Sequence, residues 1–264
     1  MILENKQLTL RRNLLSSYLK VNAGHIGCSL SCIDILISIF YHHKTENDTF
    51  ILSKGHAANA LYTVLNDLGE ITSEEITTYY QNGTTLPAHP AANKYKSIPF
   101  ATGSLGHGFP IATGIAKAKK LKAKSSEYVY VVMSDGETNE GTTWEAAHFA
   151  VSNQLDNLIV VIDKNNIQGF GYTKDILGDT ANLSKWESIG FEVIEADGHN
   201  LSILNNTISA LKNNKNGKPK LFIAKTIKGK GVSFMEDTVD WHYLPMSDEQ
   251  YKKSLEDINI KYSA

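Results

Sequence analysis

The chain has 264 residues, of which 42% are hydrophobic and 20% are charged, so it can bury a sizeable core as an ordinary globular protein. Its formal net charge of −2 creates no overall field that would favour nucleic acid or an anionic membrane as a partner. We see no apolar run that approaches the roughly 20 residues needed to span a bilayer, and we expect no signal peptide. Cys28 and Cys32 have no second cysteine pair to complete a zinc site, so we interpret them as reduced core thiols of a cytoplasmic protein.

The first part of the chain predicts helices separated by breaks that contain glycine and histidine. Leucines at helical spacing and a long apolar run indicate the first two helices, and a Gly-His turn follows the first short strand. The predicted order is a helix over 7–20, the break "NAGHIG" at 22–27, a helix over 29–43, a strand, turn and helix within 50–69, a helix capped by Thr72 or Ser73, and a loop over 83–110.

The second part of the chain alternates strands with helices. The predicted order is a helix over 109–124, a strand over 128–134, a helix over 142–155, a strand over 157–165, a helix over 183–190, a strand over 191–196, a helix over 201–214 and a strand over 219–227. The tail after Lys228 is predicted to be irregular and to wrap the body. Such alternation indicates one doubly wound α/β domain over 1–264, with a mostly parallel sheet and helices on both faces.

The stretch "VYVVMSDGETNEG" at 129–141 places a carboxylate, Asp135, directly after a buried strand. Asn165 follows the next strand of the same β-α-β unit. Because such crossovers are right-handed, both residues are expected at the carboxyl ends of parallel strands, where ligands bind in open α/β sheets. Their hard oxygen atoms, together with phosphate oxygens, suit Mg²⁺ or Ca²⁺. The pattern alone fits equally well an Asp135 that only caps a helix and an Asn165 that only makes a turn.

Two further loop features suggest a polar pocket. The segment "GSLGHG" at 103–108 precedes a helix, so its backbone can approach an anion, although its spacing matches neither a dinucleotide nor a Walker motif and also fits a simple tight turn. Several histidines lie in predicted loops, as expected for a pocket that transfers protons or binds hydroxyls: His25, His56, His89, His107 and His242. The remaining three that we considered, His42, His43 and His148, are interpreted as structural or exposed.

Taken together, the motifs resemble the N-terminal, diphosphate-binding half of transketolase over about residues 8–245. The motifs are "NAGHIGCSLSCIDIL" at 22–36, "ILSKGHAANALY" at 51–62, "TGSLGHGFPIATGIA" at 102–116, "SDGETNEG" at 134–141 with "NN" at 165–166, "ADGHN" at 196–200 and "KTIKGKG" at 225–231. The last of these is similar to the short, split bacterial transketolases, whose two halves are separate polypeptides.

The resemblance implies a role for each matching residue. Mg²⁺ (or Ca²⁺) would be held against the thiamine diphosphate by Asp135, Asn165 and the carbonyl of Ile167. The residues implied to lie beside or contact this cofactor are His56, Gly103, Ser104, Leu105, Gly136, Glu140, Asn165 and His242. The catalytic residues, which bind the donor sugar's hydroxyls, contact the reacting end and move protons, would be His25, His56, His89 and His242. Glu140 matches a glutamate that links two cofactor sites across a subunit interface, whereas Glu137 receives no role.

The sequence also departs from the family pattern. Ser134 replaces the usual first glycine of the GDG motif, while Ile26 and His107 replace a common proline and glutamine, which could alter the sugar pocket. The carboxylate that activates the aminopyrimidine belongs to a pyrimidine-binding domain, and we expect that domain and a C-terminal domain on a separate chain.

The resulting hypothesis is a transketolase subunit that is active only with its partner, as an α2β2 assembly. It would transfer a two-carbon ketol unit from a ketose or ketose phosphate to an aldose or aldose phosphate. One alternative is a related thiamine-diphosphate enzyme that passes the unit to a lipoyl carrier or an unusual sugar. Another is a non-catalytic binding chain, which the intact Asp135, Asn165 and histidine set disfavours.

Overall fold

The computed structural model of the chain describes residues 2–92, 94–122 and 126–263. The helices are α1 (Ile2–Val21), α2 (Ile26–Ser38, continued by a π turn over Ile39–His43), α3 (Ala58–Asp67), α4 (Ser73–Ile76), α5 (Gly108–Leu121), α6 (Gly141–Ser152), α7 (Thr173–Ile176), α8 (Leu183–Ile189), α9 (Leu201–Asn213) and α10 (Asp248–Tyr262). The strands are β1 (Thr49–Leu52), β2 (Val129–Ser134), β3 (Leu158–Lys164), β4 (Ile167–Gln168), β5 (Gly171–Tyr172), β6 (Glu192–Asp197) and β7 (Lys220–Lys225). Short 3-10 turns cover Gly55–Ala57, Gly136–Asn139 and Asp240–His242.

Five strands form one parallel sheet in the order β1-β2-β3-β7-β6. Alternate residues of each strand point to opposite sides of the sheet, and helices cover both of these faces. On one side these residues pack against α1, α2, α3 and α9, and on the other against α5, α6 and α8. The predicted doubly wound α/β fold is therefore confirmed, and the carboxyl ends of β1, β2 and β3 lie side by side.

The helical stretch Ile26–His43 is 18 residues long and apolar enough to cross a membrane by length and composition. Of these residues, 83% are buried inside the fold, where α2 packs against α1, α3 and α9. This stretch therefore serves as a core helix, and its apolar character reflects burial on all sides.

Two elements differ from the sequence-based prediction. The tail was predicted to be irregular, which is wrong from Asp248 onward, where α10 begins with a capping box formed by Ser247 and Gln250. That Ser-x-x-Gln pattern is a readable start signal. The hairpin of β4 and β5 was not predicted, because two-residue strands are too short to show a period. The predicted end of one helix at 123–124 lies outside the described residues.

A buried ion pair connects α1 to α2 beneath the sheet edge. Arg11 binds both carboxylate oxygens of Asp34, with Nη1–Oδ1 and Nη2–Oδ2 distances of 2.8 and 2.6 Å, and both side chains are fully buried. His199 accepts the Ile227 N–H at Nε2 (2.8 Å), so its Nδ1 carries the proton and donates to Asp34 at 2.8 Å. Burial alone would raise the pKa of Asp34, but Arg11 and His199 outweigh it and hold the pKa well below its usual range.

Arg11→Leu is expected to lower the free energy of unfolding by about 3–5 kcal/mol, because the buried Asp34 charge loses its cation. Urea denaturation monitored by circular dichroism measures this change. The matched control is Arg12→Leu, which removes only an exposed bond to Asn259 and should change stability by less than about 0.5 kcal/mol. A loss of less than about 1 kcal/mol in Arg11→Leu would contradict the role assigned to the pair.

Candidate active site

Asp135 follows the last residue of β2 and is 1% exposed. Its Oδ1 accepts the Gly136 N–H at 2.8 Å, and its Oδ2 accepts the Asn166 N–H at 2.6 Å and the Thr173 hydroxyl at 3.2 Å. All three donors are neutral. Burial, and next the charge of Asp163, raise the pKa of Asp135 to about 6, so a cation at this carboxylate would stabilise its charged form.

Asn165 and Ile167 lie beside this carboxylate, just after β3. The Asn165 side chain donates to Ser31 at 3.1 Å, and its Oδ1 accepts the Ile167 N–H at 3.1 Å. Both structural alternatives are thus realised, since Asp135 caps a short turn and Asn165 makes one. They are compatible with a metal site, because Asp135 Oδ1 and Asn165 Oδ1 each accept a single hydrogen bond and keep a second lone pair, and both residues line one small cavity at neighbouring strand ends.

Beneath these residues, a buried ion pair joins β3 to the loop after β1. The Lys54 ammonium bonds the carboxylate of Asp163, which also accepts hydrogen bonds from Ser31 and Thr226. Asp163 raises the pKa of Lys54 against the opposing effect of burial, so the pair stays charged. Lys54 is thus paired with Asp163 and not with Asp135. The described hydrogen-bond donors of Asp135 are all neutral.

Lys228 brings a second ammonium to the site. It is 1% exposed and its Nζ lies 3.3 Å from the Ile167 carbonyl oxygen and 2.8 Å from Nδ1 of His242. Burial lowers its pKa. A metal ion and the Lys228 ammonium at the same Ile167 carbonyl would repel each other. An anionic ligand next to the metal, in addition to Asp135, would therefore stabilise both.

Four of the five loop histidines meet in one cluster. The ring centroid of His25 lies 5.6 Å from that of His56, 6.0 Å from that of His89 and 5.2 Å from that of His242. His56 stacks on His242 at 5.5 Å. His25 holds a left-handed backbone conformation (φ 70°), fixed by the bond from its N–H to the His242 carbonyl at 3.0 Å. The fifth residue, His107, is exposed on the glycine loop.

The clustered imidazoles are neutral near pH 7. Burial, and next the charges of neighbouring groups, lower the pKa of His25 to about 4 and that of His242 to about 3. Burial lowers the pKa of His56 to about 4, and it also lowers the pKa of His89. A neutral imidazole offers one donor and one acceptor, so the cluster can bind hydroxyl groups and exchange protons with them.

The remaining predicted residues lie around this centre. Gly103 lies under the His89 ring, and a side chain at Gly55 would collide with the backbone of the 102–103 segment, so the two loops require glycine to approach this closely. Ser104 and Glu140 are exposed, and Leu105 is partly buried. A small cavity unites the strand ends with two of the histidines, and it is lined by Cys28, Lys54, His56, Ser134, Asp135, Gly136, Asn165, Ile167, Gln168, Gly169 and His242.

The other three histidines lie outside the cluster, and Ser134, which replaces the usual glycine, has a local structural role. His42 and His148 are exposed and His43 is buried beneath the sheet, so none of these three joins the cluster. The Ser134 hydroxyl accepts the Glu137 N–H at 3.2 Å, so the serine stabilises the turn after β2.

Several residues of the site received no role in the sequence analysis. Lys54 and Lys228 stand within quoted motifs, and their position next to glycines in "SKGH" and "IKGKG" was the available signal. Cys28, interpreted only as a core thiol, is free and buried but also lines the cavity, 3.5 Å from Nδ1 of His242. Lys228 and His56 outweigh burial and lower the pKa of Cys28 to about 7.

No group of three or more His, Cys, Asp or Glu side chains has metal-binding geometry within the part of the chain that the structure describes. The donors at the strand ends are one carboxylate, one amide and one carbonyl. A hard cation bound by so few protein ligands needs further oxygens, which Mg²⁺ commonly takes from phosphates and water.

Comparison of the sequence with known proteins shows the family to which the chain is related. The model of the thiamine diphosphate binding domain of transketolase matches residues 6–261. An apulose-4-phosphate transketolase subunit of Actinobacillus succinogenes is 38% identical over 97% of this chain and 95% of its own length. The 6-deoxy-6-sulfo-D-fructose transketolase subunit SqwG of a Clostridium species is 34% identical over 97% of this chain and 96% of its own.

Solved structures agree with these relatives. Transketolase from Leishmania mexicana superposes with a TM-score of 0.90 at 25% identity, and transketolase from Campylobacter jejuni with a TM-score of 0.86 at 30% identity. They cover 99% and 98% of this chain, which spans only 41% and 43% of theirs. The predicted resemblance to the N-terminal subunit of a split transketolase is confirmed, as is the prediction of a transketolase-type transferase at the level of the family. The chain belongs to the transketolase family and carries its thiamine-diphosphate-binding domain.

Proposed function

We propose that this chain is the diphosphate-binding subunit of a two-polypeptide transketolase that uses thiamine diphosphate and Mg²⁺. The reaction is transfer of a two-carbon ketol unit from a ketose to an aldose. The observation that carries the proposal is the meeting of Asp135, Asn165, two buried lysines and four neutral histidines at the carboxyl ends of adjacent parallel strands. Membership of the transketolase family favours ketol transfer among the reactions that such a site could perform.

The residues at the strand ends fit a metal diphosphate. Asp135, Asn165 and the Ile167 carbonyl supply the hard oxygens that Mg²⁺ prefers, and burial, then the charge of Asp163, raise the pKa of the Asp135 carboxylate. The ammonium of Lys228 at the Ile167 carbonyl favours an anion next to the metal. A diphosphate would fit both features, since Lys228 and His56 would donate hydrogen bonds to it and its oxygens would complete the ligands of the metal.

The chain's own residues then bind and orient the sugar. When bound, thiamine diphosphate supplies the electron sink that allows a carbon–carbon bond next to a carbonyl to break. The neutral rings of His89 and His242 each lie edge-on to that of His25, so the three residues can bind the donor's hydroxyls and move a proton to or from a hydroxyl oxygen. Their partial burial would limit the access of water to a sugar bound there.

A partner subunit completes the site in this proposal. Both relatives named above are subunits by name, and this chain spans less than half of the solved transketolase chains. We infer that the pyrimidine-binding part of the site comes from a second polypeptide, as an α2β2 assembly with the exposed Glu140 at a subunit contact. The names of the relatives favour a specialised ketose or ketose phosphate as donor over transfer to a lipoyl carrier.

The chain alone is expected to show no ketol transfer, whereas the chain mixed with the product of the adjacent gene should be active. A coupled assay with several ketose donors and aldose acceptors, with added thiamine diphosphate and Mg²⁺, measures this difference. Full activity in the chain alone would contradict the proposed division of the active site.

Asp135→Ala is expected to weaken the binding of thiamine diphosphate with Mg²⁺ to the assembled protein by about 10–100-fold, because the metal loses its charged ligand. Isothermal titration calorimetry measures the affinity. Asp175→Ala serves as the matched control, since Asp175 is an exposed carboxylate on the neighbouring α7. Equal affinities for wild type and Asp135→Ala would defeat the metal assignment.

The histidine cluster makes the stability of the chain depend on pH. Because the folded pKa values of His25, His56 and His242 lie below the usual value of about 6.5, the unfolded chain binds more protons as the pH falls through that value. Their contribution to stability is therefore present above about pH 6.5 and is lost as the pH falls from there toward about 4 for His25 and His56 and about 3 for His242. Asp135 and Glu137, whose pKa values are raised, contribute with the opposite sign.

A comparison of variants isolates this effect. His25→Asn, which tolerates the left-handed backbone, should lose less stability than wild type between about pH 7 and pH 5. Urea denaturation of the chain without cofactor at each pH measures the loss. His148→Asn, at an exposed helical site, should retain the wild-type slope. An unchanged slope in His25→Asn would show that His25 is not neutral in the folded protein.

A further inference from the structure

Glu137 is a buried carboxylate with no role in the site described so far. It is fully buried, and its Oε1 accepts the Gly106 N–H at 2.9 Å and a hydrogen bond from the Ser53 hydroxyl. Its Oε2 is buried and has no hydrogen-bond partner among the described residues. An unpaired buried oxygen of this kind destabilises the folded chain, so the bonds made by the other carboxylate oxygen must offset that cost.

The bond to Gly106 is one half of a two-sided contact. The Thr142 hydroxyl, at the start of α6, donates to the Gly106 carbonyl at 2.7 Å. Gly106 has a left-handed backbone (φ 78°), and a Cβ there would lie 2.5 Å from Thr142 Oγ1 and 2.7 Å from Glu140 Cβ. The peptide groups on both sides of Gly106 are thus held by the segment 137–142, and no side chain fits at this position.

Ser53 extends this contact to the sheet. Its N–H donates to the Val132 carbonyl of β2 at 2.9 Å, so the hydroxyl that bonds Glu137 stands at a fixed place next to β1. Glu137 therefore ties three separate segments together, namely the end of β1, the 103–108 loop and the turn that leads into α6. The loop that it holds contains Gly103, Ser104 and Leu105, the predicted cofactor contacts.

We propose that Glu137 and Thr142 are positioning residues that clamp Gly106 and hold the 103–108 loop in the conformation that binds the cofactor. The proposal deepens the proposed function and rests on it for the identity of the ligand. The clamp also joins the loop to the N-terminus of α6, which bears Glu140. Any displacement of that helix end by a partner subunit would thus reach the loop through the hydrogen bond from Thr142 to Gly106.

The test replaces each clamping group with a matched pair of side chains. Glu137→Leu and Thr142→Val remove the hydrogen bonds, whereas Glu137→Gln and Thr142→Ser retain an oxygen in the same place. Glu145→Leu, at an exposed position of α6, is the control for the substitution itself. Thr142 is exposed, so its variants provide a test even if Glu137→Leu fails to fold.

Two measurements are made on each variant. Hydrogen–deuterium exchange of the 103–108 segment without cofactor measures how firmly the clamp holds the loop. The affinity of the assembled protein for thiamine diphosphate with Mg²⁺ measures whether that loop conformation matters for cofactor binding. In Glu137→Leu and Thr142→Val we expect faster exchange and affinity weaker by on the order of 10-fold, with both restored to within about 3-fold by the conservative variants.

The outcomes separate the clamp from the proposed function. Unchanged exchange in Glu137→Leu and Thr142→Val would overturn the clamp, and faster exchange with unchanged cofactor affinity would overturn its positioning role. Failure of the wild-type assembly to bind thiamine diphosphate would instead contradict the proposed function and, with it, the ligand assigned to the loop, whatever the exchange rates. Loss of affinity that Glu137→Gln and Thr142→Ser do not restore would also count against the proposal.

Discussion

The structure depends on a carboxylate buried at the end of a parallel strand without a cation of its own. Asp135 is held by two backbone N–H groups and one hydroxyl, while its neighbour Asp163 is neutralised by Lys54. In an environment of low dielectric constant, such a carboxylate favours either a proton or a metal ion. Burial, and next the charge of Asp163, raise the pKa of Asp135, and the adjacent amide and carbonyl oxygens are the further ligands that a hard cation would use.

The parallel topology explains why the other groups lie where they do. Adjacent β1, β2 and β3 end at one edge, so the loops after them bring Lys54 and His56, Asp135, and Asn165 together. The loop before α2 adds His25, and the segment after β7 returns Lys228 and His242 to the same place. The lysines and the histidines meet at His242, whose Nδ1 lies 2.8 Å from the Lys228 ammonium. Groups that can bind an anion and groups that can bind hydroxyls are therefore direct neighbours in this site.

The periodic part of the fold was predictable because each strand and helix has a clear apolar pattern and the crossover rule fixes which strand ends meet. The placement of Asp135 and Asn165 followed from these two facts. The clustering of His25, His89 and His242 was suggested by their loop positions, but their distances depend on tertiary contacts such as the bond from the His25 N–H to the His242 carbonyl. The chemical roles came from the family resemblance, and they remain predictions.

Other features could not be read from local sequence. Glu137 shares its motif with two other acids, and only its burial and its bond to Gly106 distinguish it. Lys228 lies 61 residues from Ile167, so no spacing rule would pair them. The β4–β5 hairpin is too short to show alternation, whereas α10 had a capping signal that a weak apolar pattern obscured.

The central claim is that a divalent cation at these strand ends binds a diphosphate directly. Electron–nuclear double resonance of the assembled protein, loaded with Mn²⁺ in place of Mg²⁺ and with thiamine diphosphate, tests it most directly, because Mn²⁺ accepts the same oxygen ligands. Strong phosphorus couplings in wild type that disappear in Asn165→Ala are the result that this account predicts. Protein-bound Mn²⁺ without phosphorus couplings, or couplings that persist unchanged in both Asn165→Ala and Asp135→Ala, would contradict it.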